Sequence, residues 1–436
     1  MSDLEARLLA EIERIPFVDP HSHIPACAPA AASLDDLLGY HYYTELAHST
    51  GMDHQPLAAD FPPRKRARHL LRQAAQFRNT VQFSWLAEIC RVFLGVDVEP
   101  DEGQIDYLWE QAEQRLRQPD WVQQVLTRTG VEQIFLTNDF DDPLTGFDRR
   151  RFVPCLRTDE LVFHNADPKV RARLARATNC DPVGLKGWRS ALHDLFRRFV
   201  AAGAAYCAVS LPPTFEPGPI PEAECDRVLT PGTTSSPADP WLRSVGIFWE
   251  LARACAAWRL PFALMIGVHR RVYRAGVFQG QDLFDQRTSL HQFAELFNHF
   301  PEVRFCVSVL SSPQNQELAS YSWIFPNVVT FGHWWYANAP AYIEPDLRAR
   351  LEVVPFTKQL GYYSDAYKLE FILPKVGMYR RCLARVLARH FVLERSWREE
   401  QAVALARALL RDNARQMFNL GEVAAASSPD ASRGPA

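Results

Sequence analysis

The sequence predicts an α/β protein built as a (β/α)8 barrel. Three observations lead there. Eight short apolar runs, rich in β-branched and aromatic residues, recur along the chain, as buried strands would. Amphipathic stretches with helical periodicity separate most of them. The runs are apolar on both faces, as strands of a parallel sheet covered by helices must be.

Taken in order, the first strand is RIPFVD, ending just before His21. The stretch ahead of it, MSDLEARLLAEIER, is charged and helix-patterned. It lacks the apolar core and cleavage site of a signal peptide. Next come VEQIFLT (131–137), RFVPCL (151–156), AAYCAVSL (204–211) and PFALMIGV (261–268). VRFCVSVL (303–310), NVVTFGHWW (327–335) and LGYYSD (360–365) complete the eight. Helical patterns fill 187–203, 241–260, 288–300, 378–391 and 398–418.

Two regions interrupt the alternation. Residues 33–128 read as helical and are too long for a βα loop, so they are expected to form an insertion that lids the C-terminal mouth. Residues 212–240, rich in Pro, Gly and Ser, read as a long irregular loop over that mouth. The expected organisation is one domain over 1–423 and a disordered tail over 424–436, where AAASSPDASRGPA cannot build a core.

A formal charge of −3 over 436 residues gives no argument for nucleic acid or a membrane surface. No apolar run approaches the ~20 residues of a membrane helix. Nine cysteines, scattered without a C-x-x-C pair and mostly inside apolar runs, read as buried thiols of a reducing cytoplasm. The basic stretch PPRKRARHLLR (62–72) reads as a solvated helix start.

The chemistry centres on His21 and His23 in FVDPHSHIP. On a strand, alternate side chains share a face about 6.6 Å apart, so the two imidazoles can converge on one ion. An H-x-H also occurs as an ordinary surface pair. Its place at the end of the first strand, where barrel active sites are built, favours the ion. Asp365 ends the eighth strand, which neighbours the first in a closed barrel. Two histidines and a carboxylate leave coordination positions open for water and substrate. The alternative for Asp365 is a helix N-cap.

DPHSHIP followed by SLDDLLGYHYYTELAHSTG resembles the start of the uronate isomerases, of the amidohydrolase superfamily. FRNTVQFSWLAEICRVFLG (77–95), LTNDFDDPL (136–144) and VPCLRTDELV (153–162) continue the likeness in order. So do FGHWWYANAP (331–340), GYYSDAYK (361–368) and MYRRCL (378–383). The resemblance implies an amidohydrolase-type barrel and one divalent ion on His21, His23 and Asp365, zinc first and manganese or another ion second. It implies His41 at the substrate, with Asp365 as proton acceptor and Tyr42 or Tyr43 assisting. Trp334 or Trp335 would wall the sugar, and Arg157 or Lys368 would hold its carboxylate. On their own, His41 could be a surface histidine, the tryptophans core, and Arg157 a partner of Asp159.

The pattern also breaks. The family's fourth strand ends in S-D-H-G-L, where Cys207–Leu211 carries no Asp-His pair. Met265 replaces the fifth-strand histidine, with His269 four residues on. Tyr367 stands where the family has an arginine, and Lys375-Val376-Gly377 replaces R-H-E. The expected function is aldose–ketose isomerisation of a hexuronate (glucuronate or galacturonate), on a small-molecule sugar acid, with a homo-oligomer open. The alternatives are a metal-dependent hydrolase or lyase on another carboxylate or lactone, and a catalytically silent barrel with a binding role.

Overall fold

The computed structural model describes residues 1–233, 236–277 and 283–421. The chain opens with a helix over Asp3–Glu13, started by a capping box between Ser2 and Glu5. Its strands are β1 (Phe17–Asp19), β2 (Val131–Phe135), β3 (Asn138–Asp139), β4 (Phe152–Val153) and β5 (Leu156–Arg157). After these come β6 (Cys207–Leu211), β7 (Phe262–Ile266), β8 (Val268–His269), β9 (Leu283–Phe284), β10 (Phe305–Ser308), β11 (Val328–Phe331) and β12 (Gln359–Leu360).

The strands form a mixed α/β fold with parallel sheets. One sheet has the order β1-β2-β4 and the other β12-β11-β10-β7-β6-β5-β3. Among the described residues only β8 and β9 pair antiparallel, as a separate ribbon. The break between the two large sheets falls at Pro154, which has no N–H to give to a ladder. Leu136 N–H to Val153 O at 2.9 Å and Asn138 N–H to Cys155 O at 2.9 Å carry the pairing past it. At the other end, Asp365 N–H donates to His21 O at 3.1 Å and His23 N–H to Ala366 O at 2.8 Å. The eighth apolar run therefore lies against the first.

Side chains alternate between two cores, as the period of a strand requires. Ala208, Ala263, Met265, Cys306, Val329 and Phe331 share one cluster with Tyr206, Trp334 and Tyr363. Their strand neighbours Cys207, Val209, Phe262, Leu264, Phe305 and Val328 join the helices in another. These helices include Gly184–Ala201 and Asp239–Trp258. The inward face of each strand thus points to the space where His21 and Asp365 sit.

The eight apolar runs all contain strand. The 33–128 segment is helical, with Leu34–Leu38, His41–Ser49, Pro63–Ala74, Val81–Ile89, Ile105–Leu116 and Trp121–Thr129. Residues 212–240 are a correction. They hold a helix over Glu222–Leu229, with acids in its first turn and Arg227 in its last, which suits the helix dipole. The expected tail, 424–436, lies outside the described residues. Of the nine cysteines, Cys27 is exposed, Cys180 half-buried and the others buried. Among the described residues no helix is long and apolar enough to cross a membrane.

Candidate active site

His21 and His23 leave β1 along the stretch that pairs with 365–366. The donor atoms of His21, His23 and Asp365 all lie within 4.8 Å of one another. His23 Nε2 is 3.3 Å from Asp365 Oδ1 and His21 Nε2 is 3.6 Å from it. Donors bonded tetrahedrally at ~2.0–2.1 Å to one ion would stand about 3.4 Å apart.

The tautomers follow from the partners. The Tyr206 hydroxyl donates to Pro20 O at 3.1 Å, so its oxygen accepts from His21 Nδ1 at 3.0 Å. Thr137 Oγ1 donates to Ser22 O at 3.1 Å, so it accepts from His23 Nδ1 at 2.8 Å. Each ring is left with its Nε2 lone pair facing the carboxylate. His21 Nε2 and Asp365 Oδ1 are both buried without a hydrogen-bond partner. Buried polar atoms of a native site rarely stay unsatisfied. Three oriented donors with two orphaned atoms fit a divalent cation.

The electrostatics agree. Burial pushes His21 down to about 3, helped by His23 and opposed by Asp365. It is therefore a neutral ligand at pH 7. Burial alone would raise the Asp365 carboxyl, but His23, His21 and Lys375 hold it well below the usual carboxylate range. Asp365 also has φ 50°, a left-handed backbone that Asp tolerates better than most residues. Asp19, fully buried at the end of β1, accepts the Ser364 N–H at 2.8 Å and fixes the approach of the two segments.

A cavity of about 320 Å³ opens beside this corner, the size of a small-molecule site. His41, Thr137, Arg157, Trp334, Trp335 and Tyr367 line it. His41 is pushed down to about 3, chiefly by burial, and its Nε2 is buried without a partner. It is the one residue of the 33–128 segment in the lining; among the described residues, 212–240 contribute none. Arg157 stays charged: burial works against it, but Asp159 and Asp139 more than offset this. Tyr367 stacks on His23 with ring centroids 4.9 Å apart. Trp335 has φ 44°, the second left-handed backbone in the lining.

Two expected residues stand elsewhere. Lys368 pairs with Asp36 at 3.0 Å and does not line the cavity. Tyr42 packs behind His41, against Trp85 and Trp335, also outside the lining; Tyr43 is fully buried against Phe371. The tyrosine that reaches Asp365 is Tyr40, whose hydroxyl donates to Asp365 O at 3.1 Å. It accepts from Lys375 Nζ at 2.7 Å. That ammonium is fully buried over the rings of Tyr40, Tyr42 and Trp85, 4.9–5.3 Å from their centres. Burial brings Lys375 down to about 8. His269 is held by Asp285 at 3.0 Å and stays out of the cavity.

Sequence reasoning gave no role to Tyr206, Thr137 or Lys375, the last noted only as a departure from the family's R-H-E. Each had a signal. Thr137 ends the predicted strand 131–137, and Tyr206 is a hydroxyl-bearing residue near the start of the predicted strand 204–211. Lys375 is a lone cation on an apolar helix face, ILPKVGMY.

No family model matches the chain. Among curated proteins, the uronate isomerase of Cutibacterium acnes is 24% identical over 445 residues, covering 93% of this chain and 93% of that protein. The uronate isomerase of Xanthomonas oryzae pv. oryzae is 23% identical over 462 residues, covering 96% and 95%. Among solved structures, the glucuronate isomerase of Caulobacter crescentus superposes with a TM-score of 0.88 at 19% identity, covering 96% of this chain and 94% of that one. The uronate isomerase of Thermotoga maritima gives 0.87 at 18%, covering 96% and 98%. The chain is a divergent relative of the uronate isomerases, alike over nearly its whole length and sharing their fold.

Proposed function

We propose that this protein is an aldose–ketose isomerase of the uronate isomerase type, acting on a hexuronate with one divalent ion. The observation that carries the reading is the meeting of two features in one cavity: the His21–His23–Asp365 corner and the Arg157 guanidinium. An open-chain uronate has a carbonyl at one end and a carboxylate at the other, and the cavity offers a partner for each.

The reaction moves a proton between C2 and C1 and another between their oxygens. Bound on His21, His23 and Asp365, the ion would supply electrophilic stabilisation of negative charge on substrate oxygen. Two histidines and one carboxylate with open positions are a donor set found at catalytic zinc sites. Asp365, held ionised, serves as proton acceptor. His41, held neutral with an unengaged Nε2, is a second base on the cavity wall. Arg157 clamps the carboxylate. Trp334 and Trp335 wall the carbon chain and exclude water. Tyr42 supports His41 from behind, and Lys368 fastens its own segment to Asp36 rather than binding substrate.

The two parallel sheets and the 21–23 to 365–366 hydrogen bonds support a closed (β/α)8 barrel as the scaffold. His41 in the lining supports a lid role for 33–128. The thiol content suits the cytoplasm. The test is turnover of glucuronate and galacturonate by zinc-loaded protein, followed by NMR. Ketose formation that disappears on chelation and returns with zinc is expected. No ketose from any hexuronate would sink the reading.

A further inference from the structure

We propose that Lys375 is a positioning residue that fixes the two bases of the cavity, Asp365 and His41, relative to one another. The roles of the two bases rest on the isomerase reading; the placement of Lys375 does not.

Lys375 lies in the helix Ile372–Val386, is fully buried and does not line the cavity. Its ammonium has three hydrogens to place. Nζ donates to the Tyr40 hydroxyl at 2.7 Å and lies 3.4 Å from the Asp365 carbonyl oxygen. Tyr40 donates to that same carbonyl at 3.1 Å, which closes a triangle. The remaining charge faces the rings of Tyr40, Tyr42 and Trp85, 4.9–5.3 Å from their centres, and aromatic faces attract cations. A buried ammonium is costly. A methionine would fill the same space without that cost, so packing alone does not call for a charge here.

The partners come from two sides. Asp365 belongs to the barrel side and has φ 50°, a backbone that persists only where its surroundings hold it. Tyr40 and Tyr42 belong to the 33–128 segment and flank His41 in the sequence. The helix His41–Ser49 starts there without a side-chain cap, so the contacts of these tyrosines are what tie its first residue down. The His41 ring packs 4.7 Å from that of Tyr40 and 4.1 Å from that of Tyr42, between centroids. One ammonium thus grips the Asp365 backbone and both neighbours of His41. A misplacement of about 1 Å between acting groups can cost about a hundredfold in rate.

The experiment uses the full chain with isotope-labelled histidine, first free of metal. Lys375→Met keeps the length and removes the charge; Tyr40→Phe keeps the ring and removes the hydroxyl link. The ring resonances of His41, identified by their loss in His41→Gln, are expected to shift or broaden in both variants. Both are needed, because Lys375→Met also removes a charge near the ring and Tyr40→Phe does not. The resonances of His333, whose ring lies 5.9 Å from that of Tyr379 on the same helix, are expected to stay. In the zinc-loaded enzyme kcat should fall roughly tenfold or more with KM changed less than about threefold. The double variant should lose less than the product of the single losses.

His41 resonances at their wild-type positions in either variant overturn the proposal, whatever the rates. So do His333 resonances that move with them, since the helix has then shifted as a whole. If Lys375→Met does not fold, the His41 resonances in Tyr40→Phe decide. If they move as expected but the wild-type enzyme forms no ketose, the isomerase reading falls and the placement of Lys375 stands.

Discussion

Replacing Tyr206 by Phe removes one oxygen from the interior and leaves the ring. That oxygen accepts from His21 Nδ1 at 3.0 Å and donates to Pro20 O at 3.1 Å. Without it, His21 loses the partner that fixes its tautomer and points Nε2 at Asp365. Losing such an orienting partner weakens metal binding by about 10–100-fold. At a fixed zinc concentration well above Kd, stabilisation by the ion follows RT ln([L]/Kd). The zinc-induced rise in unfolding free energy should thus shrink by about 1.4–2.7 kcal/mol. The apoprotein should lose about 1–3 kcal/mol for each buried group stranded, here the imidazole N–H and the Pro20 carbonyl. Competitive titration with a zinc chelator reads the first effect; denaturant unfolding with and without zinc reads both. If Tyr206→Phe binds zinc with the wild-type Kd while folding normally, the hydroxyl does not set the ligand, and the tautomer assignment is wrong.

Further outcomes are expected elsewhere. Thr137→Val, which removes the partner of His23 Nδ1, should also weaken zinc by about tenfold or more, measured by the same competition; an unchanged Kd would leave His23 oriented by something else. Gly332 sits at φ 54°, and a Cβ there would come within 2.3 Å of the Tyr363 ring, so Gly332→Ala should cost about 2–4 kcal/mol in chemical denaturation; a loss under 0.5 kcal/mol would contradict the packing. His333 is buried with neither ring nitrogen partnered, and burial and Arg350 hold it well below 6.5. The unfolded chain therefore binds a proton as pH falls below 6.5 while the folded chain does not, and stability is lost at up to about 1.4 kcal/mol per pH unit. His333→Phe should lower the slope of unfolding free energy between pH 6.5 and 5 by up to about 1.4 kcal/mol per pH unit, leaving the part due to His21 and His41, and an unaltered acid limb would show that His333 does not contribute.

The fold was legible because strand and helix periods differ and the apolar runs alternate cleanly between them. Their ends were less so. RFVPCL reads as one strand, but Pro154 splits it into β4 and β5. The β8–β9 ribbon pairs two residues with two, too short a stretch for a strand period to show. In the site, His21, His23 and Asp365 were readable because ligand types at strand ends are few. Lys368 and Tyr42 were placed by motif likeness alone, and the register of the neighbouring helix decides such positions: Asp36 lies within reach of Lys368. Tyr206 passed as a core residue because a hydroxyl aimed inward looks, in sequence, like any other residue of an apolar stretch, and Lys375 was noticed only as a departure from the family's R-H-E, with no role given to its ammonium.

The left-handed backbone of Asp365 has a consequence for how this lineage can drift. Gly, Asn and Asp adopt that conformation more readily than other residues, so the fold biases the position before any chemistry does. Were catalysis to lapse, substitution at 365 would still favour Asp, Asn or Gly. His21 carries no such backbone constraint. Among natural variants of this chain, retention of the histidine is therefore the sharper record of an ion in use, and loss at 21 with Asp365 intact would mark a scaffold that has outlived its activity.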